Sequence, residues 1–234
     1  MPKTRSDALR RVIIPLTLAL LLVPGCSGAP VSPVATPTHL DLGEDWGDDV
    51  GNGVTLLGTE DALAAVIAAM RAEHGGTMTG VFVDTADRMM TFVVSGRGGS
   101  VEAEFTVNGV STRIVLTDDV AYVLPSPTGE AADGAYACMG VDDPAVARWR
   151  TLLDPVRTVA EFSADASAIA AAGEGTANIV LGAEGTLGAL TVSRDGPPLP
   201  TALVRADAAG TMEVEFSDWG ETEVAPPSPL ADDC

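Results

Sequence analysis

Apart from its carboxylates and hydroxyls, this chain has few side chains able to act as nucleophile, base or metal ligand: Cys26, Cys138, Cys234, His39 and His74. His39 falls in a proline-rich stretch and His74 at the expected end of a helix, so they assemble neither a Ser–His–Asp relay nor a histidine metal centre. No G-x-S-x-G elbow, phosphate-binding glycine loop or C-x-x-C pair is present. Acid pairs such as Asp118-Asp119 and Asp142-Asp143 fall where turns and helix caps call for them. The acids Glu44, Asp45, Asp48 and Asp49 around Trp46 lack the regular spacing and closing Glu of a calcium loop. These residues predict no enzyme, no metal site and no cofactor.

Cys26 has a different context. Lys3, Arg5, Arg10 and Arg11 precede an apolar run from Val12 to Val23, the layout of a secretory signal. The run is short of the roughly 20 residues a helix needs to span a bilayer. Leu22-Val23-Pro24-Gly25-Cys26 resembles the bacterial lipobox, with Pro24 a less common residue at its place. The resemblance implies that residues 1–25 are removed and that Cys26 becomes a lipid-modified first residue carrying acyl chains such as palmitate. Two or three chains on one cysteine hold a protein at a bilayer, where a single chain would be marginal. The expected location is the outer side of the cytoplasmic membrane. Cys138 and Cys234 remain, and an even pair in an exported chain is expected to bridge, with two free thiols as the alternative. Such a bridge stabilises by about 4 kcal/mol in the chain-entropy account.

Charge narrows the partners. Residues 1–25 hold four of the 13 basic residues and one of the 33 acids, so beyond them nine Arg face 32 acids, a net charge of −23. Nucleic acid, which needs a basic face, is excluded, and so is a polybasic attachment to anionic headgroups. Attachment must come from the lipid. The absence of Lys among those nine, with abundant Ala and Gly, reads as the coding bias of a GC-rich genome.

The elements follow from periodicity. Ser27 to Thr38, with Pro30, Pro33 and Pro37, and the acidic stretch to residue 58 read as a tether. Order is expected from Thr59, as cap of a helix with Glu60 and Asp61 in its first turn and Leu63, Val66, Ile67 and Met70 on one side, ended by Gly75-Gly76. The period then changes to two, with strands predicted at Thr77–Asp84, Arg88–Ser95, Ser100–Val107, Ser111–Thr117 and Asp119–Leu124. Val101, Ala103, Phe105 and Val107 alternate with Glu102, Glu104 and Thr106, so one face is dry and one wet. Asp143-Pro144 and Asp154-Pro155 each signal a short helix. Residues 163–175 fit helix, strand or loop. Strands resume at Thr176–Leu181, Thr186–Ser193, Pro200–Asp207, Thr211–Ser217 and Glu221–Ala225, before an irregular tail from Pro226.

This order of elements resembles the actinobacterial lipoproteins of the LppX and LprG type, distant structural relatives of the periplasmic lipoprotein carrier LolA. The residues that carry the likeness are Leu199-Pro200-Thr201-Ala202 opening a strand, Gly210 in the turn, Phe216-Ser217-Asp218-Trp219-Gly220 and Pro226-Pro227. The first helix running into Met78–Val83 and the insert at Leu153-Asp154-Pro155 add to it, and the likeness extends over residues 59–227, leaving 228–234 as a tail. It implies an α+β fold, a strongly curved antiparallel sheet forming an open half-barrel around a few helices, with an apolar cavity for acyl chains. The expected lining is Leu63, Val66, Ile67, Met70, Phe92, Phe105, Ile114, Tyr122, Val214 and Phe216, although the same residues could close on one another as core. A monomeric, membrane-anchored carrier of a lipid or lipoglycan is the function so implied. A non-enzymatic envelope interaction or assembly module with a filled core is the alternative.

Overall fold

The computed structural model describes residues 51–97, 99–125, 134–182, 185–220 and 222–231, all within the unit Leu42–Cys234. The expected signal segment, Cys26, the tether up to residue 50 and Cys234 lie outside them.

Packing begins before the expected boundary at residue 59. Val54 opens a 3₁₀ turn, Val54–Leu56, and is buried in the core. The Asn52 side chain fixes this entry: its amide donates to the Ser193 and Gly196 carbonyls, and its oxygen accepts from the Val54 N–H. Helix α1, Thr59–Ala72, is capped by Gly58 rather than Thr59, with no side-chain cap bond, so Glu60 and Asp61 at its positive end are its local stabilisation. Its buried stripe is Ala62, Val66 and Met70.

Eleven strands follow in one antiparallel sheet. They are β1 (Gly76–Asp84), β2 (Met89–Arg97), β3 (Ser100–Val107), β4 (Val110–Thr117), β5 (Val120–Leu124), β6 (Ala137–Gly140), β7 (Ala166–Ala172), β8 (Thr176–Leu181), β9 (Leu187–Ser193), β10 (Pro200–Asp207) and β11 (Gly210–Ser217). Their spatial order is β6-β5-β4-β3-β2-β1-β11-β10-β9-β8-β7, two meanders joined where β1 meets β11. The sheet is open, with β6 and β7 at its edges. Two short helices, α2 (Pro144–Ala147) and α3 (Pro155–Phe162), lie between β6 and β7.

The register sorts the strand residues into two faces. Met78, Phe92, Phe105, Leu203, Val214 and Phe216 lie on the face that carries the helices, in one core with Val66 and Met70. Glu102, Glu104, Glu213 and Glu215 alternate with them onto the wet face. Gly80 is required by close approach: a Cβ there would stand 2.3 Å from Cζ of Phe92, whose ring covers it.

Three expectations need correction. Residues 222–225 form no strand, because the chain leaves the sheet at Gly220 and both neighbours of β11 are already occupied by β1 and β10. The sequence reading missed β6, which is only four residues long. The ambiguous stretch after Ser163 contains β7, whose run of small residues has no apolar rhythm to betray it.

Candidate functional site

Two aspartates set the walls of the site. Asp143 accepts the Ala145 N–H at 2.8 Å and so starts α2, and Asp154 accepts the Val156 and Arg157 N–H groups at 3.0 and 3.3 Å and so starts α3. Pro144 and Pro155 follow at the first helical position, where a missing N–H loses nothing. Between the two helices, Trp149 stacks on Phe105 at 4.2 Å and 10°, under the Arg148 guanidinium.

The other end of α3 is clamped to the sheet by a charge. Arg205 in β10 shares its face with Leu203, yet it is not solvated: it donates to the Phe162 carbonyl at 2.7 Å, to Asp165 at 2.8 Å and to Asp207 at 2.8 Å. Burial alone would lower the pKa of this guanidinium, but the bonds to Asp207 and Asp165 outweigh it and raise the value. Asp207 is held below its ordinary range, first by the bond from Arg205 and then by the Ala209 N–H.

The expected lining separates into three groups. Val66, Phe92, Phe105, Ile114, Val214 and Phe216, with Met70, belong to one packed core, and Leu63 rests against it. A side chain facing a void wide enough for water would keep some accessible area, whereas Phe105 and Ile114 are 0% exposed and Phe92 is 1% exposed. The middle of the sheet is therefore filled at these positions. Ile67 is half-buried on the flank of α1. Tyr122 lies on the opposite face from Ala121 and Val123, the buried residues of β5, in a cross-strand row with Val115 and Cys138.

On the helix side of the sheet open space lies instead at one end, while a separate hollow of about 600 Å³ lies on the wet face between Thr79, Thr91, Glu104 and Arg113. A hollow of about 730 Å³ is bounded by the last turn of α1, by α3, and by the β2–β3 and β4–β5 turns. A second, of about 270 Å³, runs beneath the α2 segment over Leu116, Val141, Val146 and Leu153. The two share Gly99, Asp118, Asp154 and Arg157, so they adjoin. Met70 alone of the expected lining faces this space. The remaining boundary residues are scattered over the three helices, the segment joining α2 to α3, the strand ends of β2, β3 and β4 and the turns beside them, and no sequence period links them. The larger hollow falls within the roughly 300–1,000 Å³ of small-molecule sites.

Cys138 lies in β6, and the tail passes beside it. Leu230 forms a parallel bridge with Tyr136, whose carbonyl accepts from Ala231. Among the described residues no group of His, Cys, Asp and Glu is placed to hold a metal ion, and no helix is long and apolar enough to cross a membrane.

The residues expected to form a closing hairpin do so. Pro200 opens β10, Gly210 opens β11, and Trp219 folds back to stack near Phe216 and to donate its indole N–H to the Pro200 carbonyl at 3.2 Å. No family model matches the chain, and no curated protein matches it in sequence. The solved structures to which the chain is similar include two mycobacterial proteins. LprF from Mycobacterium bovis is 14% identical, with 72% of this chain and 96% of that one covered and a TM-score of 0.44. The Mycobacterium tuberculosis lipoprotein LppX is 10% identical, with 70% and 98% covered and a TM-score of 0.41.

Proposed function

We propose that this chain is an exported lipoprotein, anchored through Cys26 on the outer side of the cytoplasmic membrane, that holds the acyl part of a lipid in the adjoining hollows beside α3. One observation carries the reading: open space with an apolar floor, Leu116, Val146, Leu153 and Val156, and a charged rim at the open end of a large sheet. Each methylene that enters gains about 0.8 kcal/mol, so an alkyl tail binds there without a specific polar contact, and the rim meets whatever polar group it carries. The half-barrel curvature expected from the sequence belongs to this proposal, as do the single-copy state and the Cys138–Cys234 bridge. The bridge is favoured by the path of the tail, which reaches Ala231 beside Tyr136, two residues from Cys138.

The filled centre of the sheet favours a second reading, an envelope interaction module that carries no lipid. Native mass spectrometry of the full chain, extracted from membranes of an actinobacterial host, separates the two. The carrier reading expects non-covalent lipid on the protein, and expects Ala160→Trp, which projects into the larger hollow from α3, to abolish it while the fold remains. A clean apoprotein that takes up no lipid from vesicles selects the second reading. The mass of the N-terminal peptide tests the anchor independently, since acylation must vanish in Cys26→Ser.

A further inference from the structure

The hollow beside α3 has an arginine content at odds with the rest of the chain. Four of the nine arginines beyond residue 25, Arg71, Arg97, Arg150 and Arg157, line the adjoining hollows, and only four of the 32 acids do. Elsewhere five arginines face 28 acids, so this rim is a near-neutral window in a strongly anionic protein. The cations are not all spent on their neighbours. Arg150 pairs with Asp142, and Arg157 sits 4.0 Å from Glu161. Arg71 and Arg97 pair with no carboxylate among the described residues; Arg97 reaches only the Glu73 carbonyl at 3.5 Å and Nδ1 of His74 at 3.3 Å. On the acid side, Asp154 is occupied by the α3 cap and Glu161 accepts the Thr151 hydroxyl at 2.7 Å, which leaves Glu73 and Asp118 facing the same space.

Arg71 in the last turn of α1 and Arg97 at the end of β2 therefore bring two guanidinium forks to one opening, next to Met70 and Val156. Guanidinium matches phosphate and carboxylate oxygens in pairs, which an ammonium does not. We infer that the ligand is an acyl lipid with an anionic phosphate or carboxylate headgroup, its tail over the apolar floor and its charge between Arg71 and Arg97. The inference rests on the lipid-holding reading above and adds the headgroup. Because the protein as a whole repels anions, selection for a charged headgroup has to arise at this window.

The test offers the full chain neutral phosphatidylcholine vesicles that contain phosphatidylglycerol and diacylglycerol in equal amounts, and native mass spectrometry counts what is bound. Wild type is expected to carry phosphatidylglycerol over diacylglycerol by about tenfold, with the preference shrinking as salt rises. R71Q/R97Q should lose the preference and keep total lipid uptake, and D118N, which removes a competing carboxylate, should strengthen it. Equal uptake of the two lipids by wild type, or an unchanged preference in R71Q/R97Q and D118N, overturns the headgroup assignment alone. No uptake of any lipid overturns the lipid-holding reading and this inference with it. Saturable binding of inorganic phosphate, lost in R71Q/R97Q and unaccompanied by lipid, would identify a free anion as the ligand and overturn it as well.

Discussion

Replacing Arg205 by Met removes one cation from beneath α3 and leaves two carboxylates facing a poorly solvated space. The side chains of Arg205, Asp165 and Asp207 retain only 17%, 18% and 26% exposure. Breaking a buried pair on one side costs about 3–5 kcal/mol, and the remaining exposure reduces this to about 2–4 kcal/mol. In a domain of about 150–250 residues each kcal/mol moves Tm by about 2–4 °C, so R205M should melt roughly 5–15 °C below wild type. Urea titration at neutral pH gives the free energy directly. The sign with pH is also fixed: the folded pKa of Asp207 is lowered, so its contribution is present above the unfolded value near 3.9 and fades as pH falls through the folded one. The gap between R205M and wild type should therefore narrow in acid. The triple variant R205M/D165N/D207N, which removes the stranded charges, should recover most of the loss. A single variant within 1 kcal/mol of wild type, or a triple variant no better than the single, would refute the view that Arg205 neutralises these carboxylates while it fastens α3.

Other expectations concern packing and caps. Gly80→Ala should cost about 1–3 kcal/mol in urea, because its new Cβ meets the Phe92 ring, and the penalty should nearly vanish in a Phe92→Ala background, a coupling that a double-mutant cycle measures. Asp154→Ala should cost about 1 kcal/mol and raise amide exchange in the first turn of α3. In protein isolated from the cell envelope, thiol titration under denaturing, non-reducing conditions should find Cys138 and Cys234 both blocked. Changing both to Ser should lower stability by about 2–5 kcal/mol.

How much could be read from the sequence depended on whether a signal was local. The alternation Val101, Ala103, Phe105, Val107 placed β3 and its dry face without ambiguity, and Asp143-Pro144 and Asp154-Pro155 placed two helices. Side-chain size misled at Tyr122: parity assigns the helix face of β5 to Ala121 and Val123, and the larger aromatic falls on the other side. Ala166 to Ala172 is small at every position but Ile169, and one large apolar residue sets no period that separates strand from helix. Arg205 was illegible for another reason, since its inward position makes sense only with Asp165, 40 residues earlier, folded against it. The same holds for the site. Arg71 and Arg97 belong to separate elements, and only the meeting of α1 with the β2–β3 turn turns them into one opening.

The strand order has a consequence for how the chain reaches its native state. Nine of the ten strand pairings join strands adjacent in sequence, and the tenth, β1 with β11, joins residues 76–84 to residues 210–217. Each half can zip from its own hairpins at little loop-closure expense, but the two sheets merge only when the beginning and the end of the domain find each other across more than a hundred residues. The seam is thus the strand pairing with the highest loop-closure cost, and a growing chain cannot complete it until its last strand has been made.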